Sequence, residues 1–223
     1  MSCPIYLDIG NTSAKWKCED SYFEVPINEF SLDILPRSSK IWVSNVSSNF
    51  VIKSKSNISL VESQKKYKSL INSYNEPRFL GSDRWLAMIA SYEMNQGEGF
   101  IVIDIGSAVT IDQVDNLGLH LGGVIFPGLF KIRNTFEDFP VEKEINSKKI
   151  GQSTSEAWSI GTRDLVVNAI NQKIHELKQK TAYSEIYLTG GGFNDIEKFI
   201  DFPYNYHKNL VLDGLELYAN NMG

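Results

Sequence analysis

The feature that most constrains the fold of this chain is a short pattern that occurs twice. An apolar run leads into an aspartate and a glycine at Asp8-Ile9-Gly10, and the same pattern returns at Asp104-Ile105-Gly106. An apolar run that ends at a turn is typical of a buried strand, and a glycine in the turn lets the backbone approach a ligand closely. The repeat therefore predicts two related halves, each of which brings an aspartate to the end of a strand.

The two turns indicate a phosphate site that needs a cation. Successive backbone amides in such a turn form a nest that binds anions. A carboxylate beside the nest repels phosphate, so a cation has to lie between them, and the natural ligand is a metal–nucleotide complex. A third glycine cluster, Gly190–Gly192, follows a later apolar run. Neither GxxxxGK[ST] nor GxGxxG occurs in the sequence, which disfavours P-loop and Rossmann folds.

Each half is predicted to be an α/β unit that starts with strands and continues with helices. The segment 95–99 (NQGEG) ends a helical pattern and predicts a boundary between an N-terminal domain, residues 1–97, and a C-terminal domain, residues 98–223. Strands are predicted at 4–9, 14–18, 22–26, 41–46, 58–61, 100–105, 109–114, 119–125, 185–188 and 209–212, and helices at 65–73, 83–95, after Pro127, 153–180, 195–200 and 214–220.

Composition and charge exclude several classes of protein. The net charge of −5 argues against general nucleic-acid binding, and no apolar run approaches the roughly 20 residues that span a bilayer. Cys3 and Cys18 have neither a CxxC spacing nor the number typical of a disulfide framework, so we expect reduced thiols and a cytoplasmic protein. We predict no role for His120, His175 and His207, because they lack the spacing of metal ligands.

The segment Leu80–Trp85 (LGSDRW) has two interpretations. In the first, Asp83 caps a helix and Arg84 pairs with a surface acid. In the second, Asp83 accepts a proton from an alcohol during phosphoryl transfer and Arg84 neutralises charge nearby. Two further segments are equally ambiguous. Gly122–Gly128 is either a tight strand-to-helix turn or a backbone surface for a ligand, and Gly151–Thr154 is either an N-cap or an anion site.

Taken in order, these motifs resemble those of the type III pantothenate kinases, which belong to the superfamily of actin, sugar kinases and heat-shock ATPases. The resemblance runs from Asp8 to about Gly214, and its most specific parts are the first turn and the sequence GSDR at 81–84. It implies an α/β fold of two ribonuclease-H-like halves with the nucleotide cleft between them. The implied reaction is phosphorylation of pantothenate by ATP, the first step of coenzyme A biosynthesis. The alternatives are another small-molecule kinase of the superfamily or a catalytically silent, ATP-binding regulator.

The resemblance also implies roles for individual residues. Asp83 would be the proton acceptor, Asp104 would hold a monovalent cation (K⁺ or NH₄⁺), and Ser107, which replaces the usual threonine, would touch ATP. The first turn would hold the ATP phosphates, and its Asp8 would reach Mg²⁺ through ATP. The residues of this turn are Asp8, Ile9, Gly10, Asn11, Thr12, Ser13, Ala14 and Lys15. The pantothenate site would be lined by Tyr74, Gly81, Ser82, Asp83, Arg84 and Thr154. Family members are homodimers with substrate sites near the subunit interface, and neither nucleic acid nor membrane is an expected partner.

Overall fold

The computed structural model describes residues 3–48, 50–52, 56–95, 97–136, 138–142, 149–180 and 185–222. The strands are β1 (Ile5–Ile9), β2 (Ser13–Cys18), β3 (Ser21–Pro26), β4 (Ile41–Asn45), β5 (Ile58–Leu60), β6 (Lys66–Tyr67), β7 (Leu70–Ile71), β8 (Phe100–Ile105), β9 (Ala108–Val114), β10 (His120–Pro127), β11 (Glu185–Thr189) and β12 (Asn205–Tyr206). The α-helices are α1 (Ser82–Met94), α2 (Leu129–Arg133), α3 (Thr154–Lys180) and α4 (Leu210–Met222). Single 3₁₀ turns occur at Ile27–Glu29, Leu32–Ile34, Pro77–Phe79, Phe193–Asp195 and Glu197–Phe199.

The two large sheets have the same topology. The first has the order β3-β2-β1-β4-β5, and the second has the order β10-β9-β8-β11-β12. In each, three antiparallel strands are followed by two strands that pair in parallel. This is the arrangement of a ribonuclease-H-like unit, and its repetition confirms the predicted duplicated α/β fold.

Alternation along the strands directs side chains into separate core layers, because successive residues of a strand face opposite sides of the sheet. Ile101, Ile103 and Ile105 of β8 pack in the layer that contains α3. Phe100 and Val102 of the same strand face the other side, towards α1 and α4. Both faces of the second sheet are therefore buried.

The two helices that end the halves are exchanged between the sheets. Helix α1, which precedes residue 97, contacts β8 and β9 of the second sheet as well as β4 of the first, and α4, at the end of the chain, contacts β1, β2 and β4. The two helices also pack closely on each other, since a Cβ atom at Gly214 would lie 1.9 Å from the carbonyl oxygen of Leu86. The boundary at residue 97 thus separates the strands of the two sheets but not their helices, and independent domains divided there stay a prediction.

The outer faces of the two sheets are covered differently. Helix α3 covers the second sheet, whereas Phe30, Leu32, Leu35 and Phe50 of irregular segments pack against the first. Across the described residues, no helix combines the length and the apolar character that crossing a bilayer requires.

Some short elements were predicted wrongly. Residues 65–73 form the β6–β7 hairpin instead of a helix, with Lys68 in a left-handed conformation (φ +50°) at its turn. Residues 210–212, predicted as a strand, are the first turn of α4, and the helix predicted over 195–200 is a pair of 3₁₀ turns. Short apolar runs fit either period, and here tertiary packing decides the structure.

The expectation of two reduced cysteines was also wrong, because Cys3 and Cys18 form a disulfide. The antiparallel pairing of β1 with β2 sets Ile5 opposite Cys18, which returns the chain to within reach of Cys3. The spacing in the sequence does not reveal this pairing, since it depends on the register of two strands.

Candidate functional site

The two aspartate turns face one cleft of about 580 Å³. Such a volume lies in the range of small-molecule sites. The cleft is lined by residues of both sheets, among them Asp8 and Asp104 with their turns, Asp83 at the start of α1, and Gly190–Gly192 after β11. The arrangement predicted from the duplicated pattern is therefore present.

The first turn presents polar residues and a lysine to the cleft. Gly10 N–H donates to the carbonyl oxygen of Ser13 at 3.0 Å, which closes the turn between β1 and β2. The strand register sets Lys15 directly opposite Asp8, and its ammonium lies 3.6 Å from the Glu24 carboxylate. The residues of this turn that line the cleft are Asp8, Gly10, Asn11, Thr12, Ser13 and Lys15, whereas Ile9 and Ala14 are fully buried behind it.

The second turn is shorter and more enclosed. Gly106 N–H donates to the carbonyl oxygen of Ala108 at 2.9 Å, and Thr110 lies opposite Asp104. Ser107 lines the cleft, and its carbonyl oxygen accepts a hydrogen bond from Gly128 N–H. Gly190, at φ +102°, passes so close that a Cβ atom there would lie 2.4 Å from Asp104 Oδ1.

The carboxylates of this cleft are held in an unfavourable electrostatic environment. Burial raises the pKa of Asp8 to about 7, and the charges of Asp83 and Asp104 add to this, although Ser44 and Lys15 oppose it. Burial, together with the charge of Asp83, likewise raises the pKa of Asp104 to about 7. The pKa of Asp83 is also raised, chiefly by burial. Groups with such shifts concentrate at functional sites.

The first turn fits a bound divalent cation. Asp8 Oδ1 is buried and has no hydrogen-bond partner within the part of the chain that the structure describes. In that same part, no three His, Cys, Asp or Glu side chains come together closely enough to hold a metal ion. A cation near Asp8 would thus need further oxygen ligands from a bound molecule, and phosphate oxygens are suitable.

Helix α1 carries the candidate proton acceptor, Asp83, and its neighbours Ser82 and Arg84. Gly81 is the N-cap residue, and Asp83 lies inside the first turn, where its Oδ1 accepts the Arg84 N–H at 2.7 Å. Arg84 pairs with the buried Asp112 rather than with a surface acid, so the first interpretation of this segment was wrong on that point. Ser82 is buried, and its hydroxyl lies 3.0 Å from that of Ser44 on β4.

Not every predicted substrate residue lines the cleft itself. Gly81, Ser82, Arg84 and Tyr74 lie behind Asp83, and Arg84 Nη1–H donates to the Tyr74 hydroxyl at 3.1 Å. Thr154 is exposed at the start of α3, outside the residues that line the cleft.

The two ambiguous glycine segments have structural roles at their turns. Ser153 Oγ accepts the Glu156 N–H at 3.2 Å, while Glu156 Oε2 accepts the Gln152 N–H at 2.8 Å, which is a capping arrangement for α3. A Cβ atom at Gly128 would lie 2.0 Å from the carbonyl oxygen of Gly106, so the tight turn after β10 requires glycine there.

Several residues at or near the site were missed by the sequence analysis. Lys208 and Asn209 line the cleft just before α4, and Asn209 was predicted to begin a strand. Ser44 on β4, Asp112 on β9 and His120 on β10 are buried polar residues near the start of α1. The signal in the sequence is that each lies within, or begins, a strand that also carries apolar residues.

Comparison with known proteins gives a consistent result. The family model described as type III pantothenate kinase matches residues 21–176. A type III pantothenate kinase from Alcanivorax borkumensis is 29% identical over 241 residues, which cover 96% of this chain and 98% of that protein. A Campylobacter jejuni structure named as a Baf family transcriptional activator is 26% identical, with a TM-score of 0.64 over 98% of both chains. The pCBH ParM structure, 11% identical with a TM-score of 0.59 over 98% of this chain and 99% of its own, shares the fold alone.

Proposed function

This chain belongs to the type III pantothenate kinase family, and we propose which of its residues carry out the family's reaction. The enzyme transfers the γ-phosphoryl group of ATP to pantothenate, the first step of coenzyme A biosynthesis. The observation that carries the assignment of residues is the convergence of Asp8, Asp83 and Asp104 on one cleft between the two turns.

The first turn is the proposed triphosphate site. The amides of Asn11 and Thr12 and the ammonium of Lys15 are proposed to supply the donors and the positive charge that phosphate oxygens require. Asp8 would hold Mg²⁺ together with ATP oxygens, which accords with its unpartnered Oδ1. When bound, Mg²⁺ offsets the negative charge of the phosphates and of Asp8. Ile9 and Ala14 support the turn from the core, and Ser107 approaches ATP from the opposite side.

Asp83 is the proposed proton acceptor for the primary hydroxyl of pantothenate. Its raised pKa favours proton transfer, because a more basic carboxylate binds the hydroxyl proton more strongly as the alcohol attacks. Gly81, Ser82, Arg84 and Tyr74 lie behind Asp83, outside the residues that line the cleft, and are proposed to orient the alcohol from there. Most of the acceleration then comes from positioning and electrostatics, as in other phosphoryl transfers.

Asp104 is the proposed site of a monovalent cation, K⁺ or NH₄⁺. Burial and the charge of Asp83 raise the pKa of the Asp104 carboxyl to about 7, and a cation there would relieve the repulsion among the aspartates. Thr110, which lies opposite Asp104, would be a further oxygen ligand close to that position. Turnover should therefore rise with K⁺ or NH₄⁺ and not with Na⁺ at equal ionic strength.

A homodimer in the cytoplasm is the proposed state of the enzyme. The edge strand β10 exposes Leu121 and Ile125, which form an apolar strip suited to a second copy of the chain. Thr154, exposed at the start of α3, is proposed to complete the pantothenate site near that interface. Sedimentation of the wild type and of Ile125→Arg tests this: the variant should be monomeric, and a monomeric wild type would contradict the dimer.

The function is tested by Asp83→Asn in a coupled assay of ADP release with and without pantothenate. The variant should lose at least about a hundredfold in kcat, because it cannot accept the proton. It should keep the circular dichroism spectrum and the oligomeric state of the wild type. The matched control is Asp33→Asn, which changes an exposed carboxylate outside the cleft and should leave kcat unaltered.

Two results would contradict the proposal in different ways. More than about a tenth of wild-type turnover in Asp83→Asn would remove Asp83 from the role of proton acceptor. A wild type that binds ATP but shows no pantothenate-dependent turnover would instead favour the silent regulator.

A further inference from the structure

A buried polar network connects helix α1, which carries Asp83, to the second sheet. Arg84 donates two hydrogen bonds to Asp112 on β9, from Nε to Oδ2 at 2.8 Å and from Nη2 to Oδ1 at 2.6 Å. His120 Nε2 lies 2.9 Å from the same Oδ1, and His120 Nδ1 lies 3.3 Å from the Ser73 hydroxyl. Asp112 is 2% exposed and His120 is fully buried, so water does not compete for these contacts.

The surrounding chain is shaped to admit this network. A Cβ atom at Gly123 would lie 2.4 Å from Asp112 Oδ1 and 2.6 Å from Arg84 Nη2, so no other residue fits there without displacing the ion pair. The Asp112 carboxylate is also kept charged, because its hydrogen bonds from His120 and Arg84 outweigh the effect of burial and lower its pKa.

The network reaches both sides of the acceptor site. The third nitrogen of the Arg84 guanidinium donates to the Tyr74 hydroxyl, and the Arg84 backbone N–H donates to Asp83. The segment before Tyr74 is bound to the same sheet, since Ile71 N–H donates to the carbonyl oxygen of Gly118 at 2.8 Å. Tyr74 and Asp83 are thus attached to the second sheet, although both precede it in the sequence.

We propose that Asp112 is a positioning residue for phosphoryl transfer. It holds Arg84, and through Arg84 it keeps Asp83 and Tyr74 in place relative to the second turn. His120 in turn fixes the orientation of Asp112. This inference rests on the proposed function of Asp83. A bidentate pair between a planar guanidinium and a carboxylate fixes orientation as well as distance, which Lys or a single hydrogen bond does not. A displacement of the acceptor residues by about 1 Å is enough to lower turnover strongly.

The test is Asp112→Asn, with kinetics measured separately for pantothenate and for ATP. Asn keeps the shape of Asp but cannot accept both guanidinium hydrogen bonds, so Arg84 should lose its orientation. We expect kcat/KM for pantothenate to fall at least about thirtyfold, while KM for ATP changes by less than about threefold. A purely structural role would lower the melting temperature and leave both kinetic constants of the folded enzyme unchanged, and that result overturns the proposal.

The matched control is Asp164→Asn, which removes the carboxylate of another Asp–Arg pair, Asp164 with Arg163, on the outer helix α3. It should leave kcat/KM for pantothenate within about twofold of the wild type. An equal loss in both variants would mean that any Asp–Arg pair has this effect, and would overturn the specific role of Asp112.

A second pair of variants decides the matter if Asp112→Asn does not fold. His120→Gln retains a donor for Asp112, whereas His120→Leu does not. We expect the Leu variant to raise KM for pantothenate at least about threefold and the Gln variant to restore it to within about twofold. Equal KM values in the two variants would overturn the positioning role. The wild type in the same assay separates these outcomes from a failure of the proposed function, because only that failure abolishes its turnover with pantothenate.

Discussion

The two aspartate turns have the same strand plan but different surroundings. Each follows the first strand of a five-stranded sheet, and each aspartate has a pKa of about 7. Across from Asp8 the next strand carries Lys15, whereas across from Asp104 it carries Thr110. Residues 10–12 connect the first pair of strands and only residues 106–107 the second.

The second turn is also the more closely packed of the two. Gly128 and Gly190 approach its backbone and the Asp104 carboxylate, while Asn11 and Thr12 of the first turn are exposed to the cleft. A lysine in an open turn suits a phosphate, and an enclosed carboxylate with a hydroxyl suits a cation. The two aspartates therefore hold equivalent positions in the two sheets, while the residues around them differ.

The largest expected difference between the turns comes from the residues opposite the aspartates. Lys15→Met should lower kcat/KM for ATP by about a hundredfold, because it removes the charge-assisted contact proposed for the phosphates. Thr110→Val, the matched change in the second turn, should lower it by less than about tenfold. Steady-state kinetics with varied ATP checks this, and equal losses would remove the distinction between the turns.

A smaller effect is expected from the packing around Asp104. In Gly190→Ala, at φ +102°, the new methyl group meets both the Ile105 carbonyl oxygen and Asp104 Oδ1, so the turn and the carboxylate must move. The K⁺ concentration for half-maximal activity should rise about tenfold, and the free energy of unfolding should fall by about 1–3 kcal/mol. In Gly191→Ala the methyl group has open space, so that variant should behave like the wild type. Identical K⁺ titrations for the two variants would argue against a cation at Asp104.

The pH dependence of stability tests whether the two aspartates are equally strained. An unfolded Asp has a pKa near 3.9, and the folded values of about 7 mean that the native state binds more protons between about pH 4 and 7. The stability of the ligand-free protein should therefore fall as the pH rises through that window and level off above it.

Replacing either carboxylate removes this penalty. At pH 8, Asp8→Asn and Asp104→Asn should each have a free energy of unfolding about 1–2 kcal/mol above that of the wild type, and so unfold at higher urea concentration. Near pH 4 the free energies of unfolding of the variants and the wild type should converge. The measurement is urea denaturation without ATP or Mg²⁺. A gain in only one variant would show that repulsion is concentrated at that turn, and a loss in both would contradict the raised pKa values.

The smallest effect is expected at Ser107, where the family resemblance implies a threonine. Ser107→Thr keeps the hydroxyl that faces the cleft and adds one methyl group. KM for ATP should stay within about twofold of the wild-type value. A larger change in the kinetic assay would mean that the turn has adapted to serine.

The sequence predicted the parts of the site that depend on local pattern. The turns at Asp8 and Asp104 were predicted because a buried strand and a glycine turn are encoded within a few residues, and α1 and α3 because their apolar periodicity is long. Ser44, Asp112 and His120 were not predicted, because their roles depend on which strands become neighbours. Ser44 is next to Asp8 only through the parallel pairing of β1 with β4, and Asp112 reaches Arg84 only because α1 packs on the second sheet.

The exchange of helices between the sheets has a consequence for the order of folding. Leu210–Met222 packs on strands β1, β2 and β4, yet all strands of the second sheet lie between them in the sequence. Contacts between such distant segments form slowly, because a long loop has to be closed before they contribute, so docking of this helix is expected to be a late step. A chain truncated before residue 210 would leave part of the first sheet uncovered, with apolar side chains open to aggregation.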